Sequence, residues 1–253
     1  MAGHSKWANI KHKKGKADAA RGKVFSKIAK EIMVAASQGG GNIDDNISLR
    51  ALVQKAKGVS MPKDNIERAI KKGSGELEGG ILEEGSYEGY AAGGIAVVVK
   101  VLTDNKNRSI SEVRHAFTKA NANMADQGAV SRMFQRKGQN FIDKDKTDEE
   151  TLMELVLEAG AEDLATDGER FEVITDPNDF DAVSDAITKA GIDMDDSAVT
   201  LIPDLVVEIA DLGQAHSIMK FVDALEELDD VQDVYTNFDI SDEIAAQLEA
   251  EQQ

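Results

Sequence analysis

From Asp18 onward, Val24, Phe25, Ile28, Ile32, Met33 and Ala36 recur at helical spacing, predicting an amphipathic helix that ends near Gly39 to Gly41. A second helix is expected after the cap candidates Asp44, Asp45 and Asn46, with Leu49, Leu52, Val53 and Ala56 on its buried face. A third should start at Pro62 and bury Ile66, Ala69 and Ile70 before Gly73. Three such short helices make one small bundle. Residues 1 to 16 mix small, polar and basic groups with no apolar period and read as a flexible arm feeding the first helix.

The glycine-rich run from Gly73 to Gly80 reads as a linker, and beyond it the pattern turns to β-type runs, above all Ile95 to Leu102. A helix carrying Ile110, Val113, Phe117 and Ala120 and a strand around Ala129 to Phe134 complete a β-α-β unit. From 139 to 202 the order is strand (Phe141, Ile142), helix (Leu152 to Ala159), strand (Asp163 to Ala165), an Asp167-Gly168 turn, strand (Phe171 to Ile174), helix (Phe180 to Ala190) and strand (Val199 to Ile202). After Pro203 comes another β-α-β: Val206 to Ile209, a helix with Ile218, Phe221, Val222 and Leu225, and Val231 to Phe238. The expected class is α+β, with two ferredoxin-like α/β domains after the bundle, the last inserted into the middle one. The expected boundaries are 1–77, 78–138 plus 203–253, and 139–202. Independent domains in series would give a similar order of elements.

Charge is divided along the chain. The first thirty residues carry nine Lys/Arg against Asp18 alone, in a chain of net charge −18. Residues 1 to 72 hold sixteen Lys/Arg against six Asp/Glu, a net of +10; the remainder holds thirteen against forty-one, a net of −28. A like-charge cluster repels itself and is favoured where a polyanion, an acidic partner or solvation offsets the repulsion. Lys6, Lys11, Lys13, Lys14 and Lys16 on the arm, with Arg21, Lys23 and Lys27 on the first helix, are therefore the expected phosphate contacts. Six to nine such contacts on a duplex would give a logarithmic salt slope of about −5 to −8. Trp7, the single tryptophan, would either stack on an unpaired base, a contact worth ~1 to 3 kcal/mol, or staple the arm to the bundle. Asn107, Arg108, Arg114 and His115 form a secondary candidate site at the start of the first α/β helix, where free N–H groups attract anions; capping and surface ion pairs are the plainer reading.

Other chemistry finds little footing. Zero cysteines exclude thiolate nucleophiles, disulfides and Cys-ligated metal. His4, His12, His115 and His216 lack HExxH spacing and an obvious nucleophile partner. Gly79-Gly80 and Gly93-Gly94 lack the residues of a phosphate loop, and Asp193, Asp195 and Asp196 do not follow a calcium-loop pattern. No cofactor, metal or catalytic residue is expected. No stretch approaches the roughly 20 apolar residues of a membrane helix, and the basic start is not followed by a secretory apolar segment, so a cytoplasmic protein with no membrane partner is expected.

Met-Ala-Gly-His-Ser-Lys-Trp-Ala-Asn-Ile at 1 to 10 and Ala-Ala-Arg-Gly-Lys-Val-Phe-Ser-Lys-Ile at 19 to 28 closely resemble the opening of the YebC/PmpR family. The likeness continues through Met61 to Ala69, Tyr87-Glu88-Gly89-Tyr90, Leu102 to Arg108, Gly160 to Asp163 and Asp230 to Tyr235. The sequence departs from the usual pattern at Ala91-Ala92, where Gly-Pro is normal, and at Asn121 to Met124, where a Gly-Gly-Asn-Leu type turn is normal. The resemblance implies three domains with the third interrupting the second, and no known catalytic activity. Tyr87 and Tyr90 join the secondary candidates on its strength. Members are mostly described as DNA-binding transcriptional regulators. Others look like ribosome-associated factors that help translation through proline runs, and mitochondrial relatives activate cytochrome oxidase translation.

The expected function is a non-enzymatic, nucleic-acid-binding regulator of gene expression, with DNA and ribosomal RNA, and through the latter the ribosome, as alternative partners. An adaptor whose acidic body recruits a basic protein is the rival; it would keep its partner after loss of residues 1 to 16.

Overall fold

A computed structural model of the chain describes residues 21–78 and 80–251. Helices α1 (Arg21–Gly39), α2 (Ile47–Gly58) and α3 (Lys63–Gly73) form the basic bundle. Its core is Ile28, Ile32, Ala35, Ala36, Leu49, Val53, Ala56, Met61, Ile66 and Ala69, with Val24, Phe25, Met33, Leu52 and Ile70 packed half-buried against it. The 3.6-residue stripe read from the sequence is thus the packed one. Asn46 caps α2: its Oδ1 accepts from Leu49 N–H at 3.0 Å, and its Nδ2 donates to Ala35 O and Gly40 O, tying α1's end to α2's start. Gly73 lets α3 close on α1, since a Cβ there would lie 2.3 Å from Met33 O.

The body contains two four-stranded sheets. β1 (Glu83–Ala91) and β2 (Ile95–Thr103) form an antiparallel hairpin, and α4 (Lys106–Lys119) leads to the short β3 (Asn123–Ala125), which pairs with β1. The chain then builds the second sheet. β4 (Phe134–Asp143), α5 (Glu149–Glu158), β5 (Ala161–Asp167), β6 (Arg170–Thr175), α6 (Phe180–Lys189) and β7 (Asp196–Pro203) give the antiparallel order β5-β6-β4-β7, a split β-α-β sandwich of ferredoxin-like type. On return, β8 (Val207–Ile209), α7 (Leu212–Glu226), β9 (Val231–Thr236), β10 (Phe238–Ile240) and α8 (Asp242–Glu251) finish the first half. β9 joins the first sheet, order β3-β1-β2-β9, so that sheet is built from both sides of the insertion.

β2 is buried on both faces. Val97, Val99 and Val101 face α4 and α7, where Phe117 and Phe221 meet edge-on with centroids 5.0 Å apart. Ala96 and Val98 face the other way, against Val130, Phe134, Leu201 and Tyr235, and this cluster fuses the two sheets. At ~1.5 to 3 kcal/mol for each large apolar side chain buried, such a seam is a permanent junction.

Several elements differ from expectation. The strand expected at Ala129 to Phe134 is a loop with a 3-10 turn at Ser131–Met133, and strand structure resumes at Phe134 in the second sheet. Its apolar residues, Val130 and Phe134, are buried in the seam between sheets, not in a ladder. The strand expected from Val231 to Phe238 is broken at Asn237, whose Oδ1 accepts from Ala96 N–H at 2.8 Å while its carbonyl accepts from Val207 N–H at 2.7 Å. The chain switches partners there, and β8 pairs in parallel with β10, outside the first sheet. The hairpin strand β1 and the terminal helix α8 were not anticipated.

Candidate nucleic-acid interface

Lys23, Lys27 and Lys30 lie at i, i+4 and i+7 on α1, a single stripe beside its apolar face. The stripe meets the body. Lys23 Nζ donates to Glu227 O at 2.6 Å and Lys27 Nζ to Gln232 O at 2.8 Å. Lys30 Nζ donates to Asp229 O at 2.8 Å, to Leu102 O at 3.2 Å and to Asp230 Oδ1 at 2.9 Å. Lys23 and Lys27, expected on phosphate, are therefore seated on oxygens of the same chain. Arg21 opens α1. Lys6, Trp7, Lys11, Lys13, Lys14 and Lys16 lie outside the described residues.

Asp230 is the hub of this contact. Buried at the α7–β9 turn, it accepts from Lys30, from Thr103 Oγ1 at 2.9 Å, from Ser109 Oγ at 2.7 Å, and from Arg108 through Nε at 3.1 Å and Nη2 at 2.7 Å. Burial by itself would raise its pKa, but the bonds from Lys30, Ser109, Arg108 and Thr103 outweigh it and hold the carboxyl well below the usual range.

The secondary candidates do not assemble. Arg108 closes on Asp230 and Asp104 while its side chain stays partly exposed, and Asn105 caps α4 by accepting from Arg108 N–H at 3.1 Å, occupying the helix start where an anion was expected. Asn107, Arg114 and His115 are exposed along α4. Tyr87 and Tyr90 are half-buried, their hydroxyls donating to Lys106 O and Ala129 O, both at 3.4 Å. Between them, the buried Glu88 carboxylate accepts from the main-chain N–H groups of Gly128, Val130 and Ser131 at 2.6 to 2.9 Å. Burial opposes its ionisation, yet those three donors hold its pKa below the ordinary value. The loop before β4 is an anion nest filled by the protein's own carboxylate.

The bundle offers cations that the sequence reading passed over. Lys57, Arg68, Lys71 and Lys72 are exposed and make no side-chain ion pair or hydrogen bond among the described residues, whereas Lys55 pairs with Glu31 and Lys63 with Glu67. Arg68 and Lys72, one turn apart, edge a groove of about 380 Å³ between α1 and α3 whose walls include Phe25, Ala29, Met33 and Met61. Asn65 adds a polar edge, and the groove reaches Gly22, where the arm enters α1. An apolar floor with a paired cationic rim suits the flat face of a base and its neighbouring phosphates. The signal was available: Arg68 and Lys72 are an i, i+4 pair on the face of α3 adjoining Ala69.

Among the described residues no group of three or more His, Cys, Asp or Glu could hold a metal ion, and no helix is long and apolar enough to cross a membrane. His216 is held against Glu251 at 2.9 Å.

Two family models cover the chain: the TACO1/YebC N-terminal domain matches residues 5–76, and the TACO1/YebC second and third domain matches residues 82–238. A protein of Desulforapulum autotrophicum named as a probable transcriptional regulatory protein is 54% identical over 96% of this chain and 98% of its own length. One of Geobacter sulfurreducens with the same description is 55% identical with the same coverage. The crystal structure of a conserved hypothetical protein from Aquifex aeolicus superposes with a TM-score of 0.85 at 48% identity, covering 95% of this chain and 99% of that one.

Proposed function

The chain belongs to the TACO1/YebC family, and we propose that it regulates gene expression in the cytoplasm by gripping nucleic acid with its basic N-terminal end, without catalysing a reaction. The observation that carries this reading is the separation of charge, +10 over residues 1 to 72 against −28 over the rest, joined to the exposed Arg68 and Lys72 that edge the α1–α3 groove. The arm lysines, Arg68 and Lys72 neutralise phosphate while Trp7 or the groove takes a base. The acidic body repels the backbone and so fixes one orientation of docking. Phosphate contacts position a protein without reading sequence, so selection of a target falls to base contacts at the groove or to the partner's shape. The names of the relatives agree with a regulator.

Ultraviolet crosslinking in cells, followed by sequencing of the bound nucleic acid, tests the reading. The control is a variant with Lys11, Lys13, Arg68 and Lys72 changed to Glu. Recovery of discrete promoter DNA, lost in the variant, is the outcome for a transcriptional regulator. Recovery of ribosomal RNA, lost in the same way, assigns the protein to translation. Undiminished recovery in the variant removes the basic end from the account.

A further inference from the structure

The junction of bundle and body differs from the junction of the two sheets. An apolar seam fuses the two sheets, but among the described residues no buried apolar cluster is shared by bundle and body. Among the described residues, the hydrogen bonds that join them run from the Lys23, Lys27, Lys30 stripe to oxygens of Glu227, Asp229, Asp230, Gln232 and Leu102. Two recesses of about 410 and 390 Å³ flank the contact, each lined by Glu31 from α1 and by Glu84 and Leu102 from the sheet. In the larger, Ser86 and Gln232 carry buried side-chain polar atoms without a partner. A polar, loosely packed contact of this kind is typical of parts that move relative to one another.

The acceptors have a pattern of their own. Glu226, Glu227, Asp229, Asp230 and Asp233 crowd the turn between α7 and β9, and its carbonyl and carboxylate oxygens meet successive lysines of one helix face, as the oxygens of a phosphate backbone would. We propose that segment 226–233 is an internal stand-in for a nucleic-acid backbone: it holds the α1 lysine stripe closed, and a polyanion displaces it, swinging the bundle off the body. The proposal rests on the nucleic-acid reading above and adds its regulation. Release is chemically feasible because Asp230 keeps Arg108, Ser109 and Thr103 when Lys30 leaves, so no buried charge is stranded. By linkage, whatever opens the contact strengthens polyanion binding by the same factor that the polyanion favours opening.

The chain has no cysteine, so Gln54→Cys on α2 and Asp193→Cys before β7, both exposed, place a donor–acceptor dye pair across the contact in the full-length protein. A mixed-sequence single-stranded RNA and a duplex DNA are titrated in, with fluorescence anisotropy reporting binding in parallel. Energy transfer should fall in step with anisotropy. Binding with unchanged transfer overturns the proposal. If neither probe binds, the nucleic-acid reading fails, and the contact is judged without ligand. Lys23, Lys27 and Lys30 replaced together by Ala must then lower the transfer, and wild-type transfer in that variant overturns the latch.

Discussion

At the scale of the residue, Asp230 is where a side-chain ion pair from the α1 lysine stripe to the body lands, on a carboxylate already held by Arg108, Ser109 and Thr103. A carboxylate with about 3% of its side chain exposed is stable as an anion only because two cations and two hydroxyls satisfy it. Its folded pKa lies below the unfolded value of about 3.9, so the stabilisation is complete above roughly pH 4 and is lost as the pH falls further. Asp230→Asn should cost about 3 kcal/mol at neutral pH, leaving Lys30 and Arg108 facing a neutral amide. In urea melts from pH 7 to pH 2, the gap between wild type and variant should narrow below pH 4; a constant gap would assign the effect to packing. Residue-level chemistry also explains a departure from the family pattern: Asn121 stands where glycine is usual, at φ 51°, in the left-handed region that asparagine tolerates better than most side chains.

At the scale of the element, Asn237 decides where one strand ends and another begins. Its side chain and backbone together bind Ala96 and Val207, and its Nδ2 donates to Leu205 O at 3.3 Å, so β9 leaves the first sheet and β10 takes up β8. Asn237→Ala should orphan the buried Ala96 N–H and cost about 1 to 3 kcal/mol, read as a fall in thermal midpoint with native-like circular dichroism. No periodicity announces such a break: Asn237 is a poor strand former, but Asp233 is too and stays inside β9, and the partner change depends on a strand some 140 residues away. The bundle helices, by contrast, were legible to within a few residues, since each carries its own apolar stripe and cap. β1 escaped because Gly85 and Gly89 dilute its alternation. Gly89 is required there by tertiary packing: a Cβ would lie 2.3 Å from both Asn123 O and Phe117 Cε1. Among candidate site residues the same rule holds. The lysine stripe of α1 was visible as a stripe, but its destination on residues 227–232 is a long-range fact, as is the pairing of Arg108 with Asp230.

At the scale of the whole molecule, the question is how many of the N-terminal cations are available to a polyanion at once. In the closed arrangement Lys23, Lys27 and Lys30 are spent on the body, while Arg68 and Lys72 face solvent. The two groups therefore make different contributions to the salt dependence of binding, which counts phosphates neutralised at about 0.9 per contact on a duplex. With six to nine contacts in all, the logarithmic slope should be about −5 to −8. Changing Arg68 and Lys72 to Ala should flatten it by about 2 whether or not the bundle moves. Changing Lys23, Lys27 and Lys30 to Ala should flatten it by a further ~3 only if duplex binding releases them from the body. A closed complex would instead keep the parent slope. Anisotropy titrations of the three proteins across a salt series therefore count the contacts and report, from the same curves, whether the acidic turn has given up its lysines.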